Sequence, residues 1–572
     1  MKCIKMVLVL CFSLPFMVMG QSLLIRNINV IDVNTGDLKA DQDVLVVDNK
    51  ISKVGKRLKG PEGAITLEGV GKFLMPGLID GHIHFFQTGS VYTRPDAIDL
   101  RQMRSYEEER ELAFESIPDQ FLRYLRLGIT TVVDVGGPFQ NFQIRDEVTQ
   151  QHLSPNVLVT GPLFSSVSRE KLALNDPPIA KIPTIETADS LFDKMLTYDP
   201  DLIKIWYIVS KELPAEKTYP VMAHIAKRAR ENNLPLAVHA TNLNTAKLAV
   251  KIGADVLVHS VSDQVVDHEF ITALKQNDVT YIPTLLVGKN YGRTFLSSPS
   301  NHPQDLAWAD PFLYGTLTDL LKYNEKDLPQ RVVRLRDNPG QIWESYAKSD
   351  SIMDINLYKL VKAGVNIATG TDAGNIGTMH ASSYFQELES MQRAGLSTEE
   401  LVKASTIQAA KAYGLDKELG TIEAGKLADL IVLDKNPLEL MDHLNTIEYV
   451  VKSGRLIKTD TLIKESPAEV VQRQVNGYNA RNIDAFMATY SDDIELYRFP
   501  DERFVKGEEE MRNRYAKMFE MTPNLYCEIK NRMVLGNRVI DQEYVRKNDA
   551  FVNAIAVYEV NDGKITKVTF IK

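Results

Sequence analysis

Six side chains able to hold a cation or move a proton close apolar runs of this chain. The first run, PGLIDGHIHF, ends in Asp80-Gly-His82-Ile-His84. If it is a strand, His82 and His84 share one face, because strand side chains alternate with period two. Lys204 follows in DLIKIW, His239 in LPLAVHA, His259 in DVLVHS and Asp372 in VNIATGTD. Each has a plain structural explanation when taken singly. A lone histidine is usually hydrogen-bonded structure, a strand-end lysine snorkels to water, and an aspartate caps a turn or helix. Together, four of the ten histidines with a lysine and an aspartate at strand ends point to a metal site. Zinc-like divalent ions take imidazole nitrogen and carboxylate oxygen at about 2.0–2.2 Å, and a catalytic site leaves one position open for water. Two cations about 3.5–4 Å apart repel unless an anionic group with two oxygens spans them. An ammonium cannot do that. A lysine whose charged form is disfavoured can deprotonate, react with carbon dioxide and present a carbamate, and Lys204 is the residue for that bridge.

These ligands need a scaffold that brings strand ends together. From Phe73 to about Lys411 the sequence alternates apolar strand-like runs with helix-period segments such as TYPVMAHIAKRARENN, the mark of a parallel α/β fold. Counting GLIDGHIH as the first, GITTVVDV, NVLVTG, DLIKIW, LPLAVHA, DVLVHS, VTYIPTLLV and VNIATGTD make eight, which fits a (β/α)8 TIM barrel whose strand ends face one mouth. Residues 288–351 are more than a crossover needs and read as a lid or specificity wall. Strand-like segments in 21–72 and 412–463 are expected to join as one discontinuous β-sandwich domain, leaving 73–411 as the barrel. Residues 464–572 read as an α+β unit with hairpin turns at Gly536-Asn537 and Asn561 to Gly563.

The chain has 572 residues, 44% hydrophobic and 25% charged, which excludes a disordered or fibrous class and implies several domains. Lys and Arg number 66 against 75 Asp and Glu, a net charge of −9, so nothing here is built to grip nucleic acid. Lys2 and Lys5 precede an apolar run from Met6 to Met19 that contains Pro15 and is followed by Gly20 and Gln21. The run is too short to span a bilayer and reads as a signal peptide, residues 1–20, cut after Gly20. An exported protein, periplasmic or secreted, is therefore expected, and Cys527 would be its one remaining cysteine.

PGLIDGHIHF, Lys204, His239, His259, GTDAG at 370–374 and ELGTIEAGKLADLIVLD strongly resemble the amidohydrolase superfamily, in particular its imidazolonepropionase-related group, which includes prolidase-like enzymes. The resemblance spans roughly 23–458. It implies that His82, His84 and Asp372 hold one ion, that His239 and His259 hold a second, and that an N6-carboxylated Lys204 bridges a binuclear metal centre, zinc being the expected metal. It also gives Asp372 the role of proton shuttle. The imidazolonepropionases proper use one metal and lack the lysine, so Lys204 sets this chain nearer the two-metal hydrolases. The tail resembles the NTF2-like (SnoaL-like) fold. No isomerase catalytic pair maps onto it, and Tyr478, Tyr490 and Asp541 carry no assigned chemistry.

The expected function is hydrolysis of a C–N bond in a small amide, dipeptide or N-acyl compound by a metal-bridged hydroxide. An esterase, lactonase or phosphotriesterase is the enzymatic alternative, and a ligand-binding or scavenging protein with an idle barrel the non-enzymatic one. His380 and Tyr207 are candidates for supporting the ligands or touching substrate. Tyr291, Trp308 and Trp343 are candidates for an apolar pocket, and Asp80 reads as a strand-end hydrogen-bonding residue. Expected partners are a small-molecule substrate and a second copy of the chain through the C-terminal domain, with neither nucleic acid nor a membrane span.

Overall fold

The computed structural model describes residues 22–548 and 550–571; the segment read from the sequence as a signal peptide, 1–20, lies outside the described residues. The segments on either side of the α/β region meet in one eight-stranded sheet, with Leu430–Leu433 antiparallel to Phe73–Pro76. The discontinuous domain expected from 21–72 and 412–463 is thus joined by one continuous run of strand pairing. The reason lies in Leu23–Asp32. Its first half pairs with Ile65–Glu68 and its second with Phe73–Pro76, and register shifts between Ile25 and Val30 let one strand change partner.

Between these segments all strand pairing is parallel, in two sheets. Leu78–Ile83, Ile129–Asp134 and Asn156–Val159 form one. The other has six strands and includes Ile203–Trp206, Leu236–His239, Val256–Val258 and Thr280–Ile282 in that order. The ladder does not run round as one closed sheet. The eighth run, VNIATGTD, is not a regular strand: its ladder pairing is reduced to isolated bridges, Tyr281 to Ile367 and, just beyond the run, Ile83 to Ala373, with scattered backbone bonds between them. Asp372 has φ 60, a left-handed backbone that breaks a ladder. Residues 288–351 are helical, with Val287–Phe295, Pro303–Trp308, Pro311–Gly315 and the long Pro339–Lys362.

The C-terminal unit opens where Ser466 caps Pro467–Asn479 with a full capping box to Glu469 and a proline at the first turn. Three helices pack on a six-stranded sheet. Its opening helix also holds the 288–351 segment. Arg473 donates to the carbonyls of Leu306 (2.8 Å) and Ala309 (3.1 Å), and Asn476 Nδ2 donates to that of Pro311 (2.8 Å). Among the described residues no helix is long and apolar enough to cross a membrane.

Candidate metal centre

His82 and His84 leave the end of Leu78–Ile83 on one face, as the period-two spacing requires, and Asp372 closes on them from the irregular eighth segment. Asp372 Oδ1 lies 3.3 Å from His82 Nε2 and 3.2 Å from His84 Nε2, and its Oδ2 lies 3.7 Å from His259 Nδ1. His82, His84 and Asp372 each offer one ligand atom, all within 4.8 Å of one another. The remaining groups converge from neighbouring strands. The His259 ring is 4.9 Å from His82 and 4.4 Å from His239, and Lys204 opens into the same pocket. Trp206 pairs directly opposite His239, which sets adjacent strand ends at one level.

Close packing of this mouth depends on glycine. A Cβ on Gly370 would stand 2.6 Å from Ile282 Cγ2 and 2.8 Å from His82 Cβ. Gly374 has φ +99, and a Cβ there would collide with the His84 carbonyl oxygen. Gly374→Ala is thus expected to cost about 2–4 kcal/mol through backbone strain and overpacking together. A denaturant midpoint equal to wild type would remove the requirement.

The electrostatics follow from burial. His82 and His239 are pushed down to about 3 and Lys204 to about 7, in each case mainly by desolvation of the charged form. Burial alone would raise Asp372, but His82, His84 and His259 together hold it well below the usual carboxylate range. Both ring nitrogens of His82, Lys204 Nζ and His239 Nδ1 are buried without a hydrogen bond. Orphaned polar atoms of this kind are costly unless a further group satisfies them. The imidazoles are oriented from behind: His84 Nδ1 meets the Gly136 carbonyl at 2.8 Å and His259 Nδ1 meets Thr284 Oγ1 at 2.7 Å. Such partners fix the tautomer and direction of a ligating imidazole. The donor set fits one or two divalent cations.

Several residues around the centre were not legible in the sequence. Asn375 Nδ2 donates to Asp372 Oδ1 at 2.7 Å, and Asn375 Oδ1 accepts from Arg94 (2.8 Å) and Tyr291 (2.7 Å). Arg94 in turn grips Asp96 with two bonds of 2.7 and 2.8 Å. Asp372 is therefore clamped through a chain that begins in the loop after the first strand. Asp80 accepts from Thr371 N (3.0 Å) and Thr371 Oγ1 (2.7 Å), tying the first strand to the eighth segment as a hydrogen-bonding residue.

One candidate, Tyr207, is corrected, and the other, His380, is narrowed to a supporting role. The Tyr207 hydroxyl donates to the Ala215 carbonyl at 2.7 Å and turns away from the mouth. Lys204 faces in, so parity sends Trp206 in and Tyr207 out, and Trp206 is the aromatic that lines the pocket. His380 stacks on Phe85 (5.5 Å, 16°) and spends its nitrogens on Tyr124 OH and the Gln87 carbonyl, both at 2.9 Å. It supports the segment behind the ligands and does not line the pocket. Of the insertion aromatics, Tyr291 and Tyr346 line the pocket. Trp308 lies under the Arg126 guanidinium, and Trp343 packs on Tyr346 from outside.

The pocket over the centre has a volume of about 350 Å³. Its loop at Leu285 and Leu286 is fixed by the buried Glu387 carboxylate, which accepts their amide hydrogens at 2.8 and 3.2 Å. Burial raises Glu387 to about 8 despite those bonds. A carboxyl raised in the folded state contributes stability that is present below its unfolded value, near 4.3, and lost as pH rises through the folded one. Wild type should therefore lose more stability between pH 5 and 9 than Glu387→Gln. Parallel denaturation profiles for the two would refute this.

Imidazoles, one lysine and one carboxylate, gathered where parallel strands end beside the irregular eighth segment, make an α/β scaffold equipped to hold cations. The chain belongs to the amidohydrolase family, whose model matches residues 73–459, and it is an enzyme hydrolysing C–N bonds. A SnoaL-like domain model matches residues 471–568. The chain is similar to a 5-methylthioadenosine/S-adenosylhomocysteine deaminase of Carboxydothermus hydrogenoformans, 22% identical over 82% of this chain and 97% of that protein. Among solved structures it resembles a Xaa-Pro dipeptidase with bound methionine (22% identity, TM-score 0.57, 77% of this chain and 100% of that one). It also resembles molinate hydrolase (20%, 0.58, 78% and 97%). At these identities the structural likeness shows the fold.

Proposed function

We propose that the protein is a metal-dependent amidohydrolase that cleaves a small amide, dipeptide or N-acyl compound. The observation that carries this is the convergence of six ligand-type groups, four buried and two partly buried, several with orphaned polar atoms, beneath a pocket of about 350 Å³. His82, His84 and Asp372 would hold one divalent ion, His239 and His259 a second, with carboxylated Lys204 between them. Zinc suits this nitrogen- and oxygen-donor set. Bound there, the ions supply Lewis acidity toward a carbonyl oxygen and lower the pKa of a water.

The chain's own residues do the rest. Asp372, kept ionised by its imidazole neighbours, accepts the proton of the attacking water and returns it to the leaving nitrogen. Asn375, held by Arg94 and Tyr291, fixes the carboxylate for both transfers. Lys204, with its ammonium disfavoured by burial, is chemically ready for carboxylation. Phe86, Trp206, Tyr291 and Tyr346 give the pocket an aromatic wall suited to an apolar substituent on the substrate. The deaminase, dipeptidase and molinate hydrolase among the related proteins all support C–N chemistry here. The test is a screen of dipeptides, N-acyl amino acids and lactones on metal-loaded protein. Turnover of lactones alone would replace the amidase reading with the esterase one, and no turnover with full metal content would favour a scavenger.

The reading extends to export by the N-terminal segment and to self-association through the C-terminal sheet. For the latter, Met533, Ile540 and Val557 form a row across three strands, flanked by the exposed Leu535 and Ile555. Such an outer face suits a second copy.

A further inference from the structure

The C-terminal domain encloses a second cavity of about 490 Å³, between the helix Glu508–Met521 and the inner face of its sheet. Its size is that of a small-molecule site. Charge is segregated within it. Along Arg538–Lys547 the inward positions carry two carboxylates, and they are treated differently. Asp541 is neutralised by Arg532 through two bonds of 2.8 and 2.7 Å. Glu543 receives one hydrogen bond, from Tyr558 OH at 2.6 Å, and faces the cavity. Gln474 also lines it, and its Oε1 is buried without a partner. The inner end is thus a polar patch with unspent hydrogen-bonding capacity.

The opposite end is cationic. Arg498 and Arg514 lie on the Phe504 ring at 4.8 and 5.2 Å, and Lys517 stands one helical turn from Arg514. All three are exposed at the opening, where Arg498 is also paired with Glu502 at 2.6 Å, and among the described residues Glu543 is the only acidic one lining the cavity. On a chain of net charge −9 this is a local reversal of sign. Between the two ends the lining is apolar, with Val475, Met518, Val545, Val552 and Phe570.

We propose that this cavity binds an apolar or aromatic carboxylate. Its anion sits among Arg498, Arg514 and Lys517, its hydrocarbon body lies in the apolar section, and any polar group at its far end meets Glu543, Tyr558 and Gln474. The site is separate from the metal centre and stands whether or not the amidohydrolase reading does.

The test uses the full chain, with 2-naphthylacetate and its neutral counterpart 2-(2-naphthyl)ethanol as probes in titration calorimetry. Wild type should bind the acid more tightly than the alcohol, and added salt should weaken only the acid. The double variant Arg514→Gln/Lys517→Gln changes exposed side chains only. It should lower affinity for the acid at least about tenfold and leave that for the alcohol unchanged. Val552→Trp, which fills the apolar section, should weaken both. His82→Ala in the barrel should change neither. Equal affinity for acid and alcohol, an acid affinity indifferent to the double variant, or loss of binding in His82→Ala would each overturn the proposal. Binding of neither probe at millimolar concentration would do the same.

Discussion

Asp372→Asn is expected to lower kcat by about a thousandfold or more while the protein stays folded. The backbone at 372 has φ 60, which Asn tolerates as well as Asp, so the change does not disturb the chain path. The side-chain oxygen that accepts from Asn375 Nδ2 is also retained. What is lost is the charge that offsets three imidazoles and the atom that takes a proton. Thermal unfolding near that of wild type with abolished turnover is the expected pair of results. A rate within tenfold of wild type would mean that another group moves the proton.

Lys204→Ala is the second large effect, because it separates a two-metal centre from a one-metal centre. The lysine is fully enclosed and its Nζ makes no hydrogen bond, so as an ammonium it would serve neither stability nor solvation. If its task is to offer two oxygens after carboxylation, removing it should reduce bound metal and lower turnover by about a hundredfold or more. Acetate or propionate could enter the vacated space and restore part of both. Rescue should be weak, since a free carboxylate must be ordered where the lysine is tethered. Metal stoichiometry and rate, each with and without added carboxylate, decide the matter. Wild-type values in the unrescued variant would reduce Lys204 to a strand residue.

The ligand-type residues were legible because each ends an apolar run, and a polar group in that place has few reasons to be there. The family and the α/β alternation were legible on the same grounds. The eighth strand was not, since VNIATGTD has strand composition while its ends are set by tertiary contacts. Thr369 N bonds to the Ala404 carbonyl and Asp372 N to that of His82, in place of a regular ladder. Tyr207 was misread although parity with Lys204 already assigns it outward. Arg94, Asn375 and Glu387 left no periodic trace, because loop and helix positions acquire their roles only when distant segments close on them. No periodic signal marked Glu543 either. Its neighbour Asp541 shares the same face, and only the position of Arg532 tells the two apart.

The helix Pro467–Asn479 touches both halves of the molecule with consecutive residues. Arg473 and Asn476 hold the carbonyls of the 288–351 segment, which walls the pocket over the candidate metal centre, while Gln474 and Val475 line the C-terminal cavity. Two binding sites that share one structural element obey thermodynamic reciprocity. If an occupant of the C-terminal cavity shifts this helix and so changes the affinity of the pocket over the metal centre, an occupant of that pocket changes the cavity's affinity by the same factor. The fusion thus supplies the physical route by which one domain's ligand can be sensed by the other.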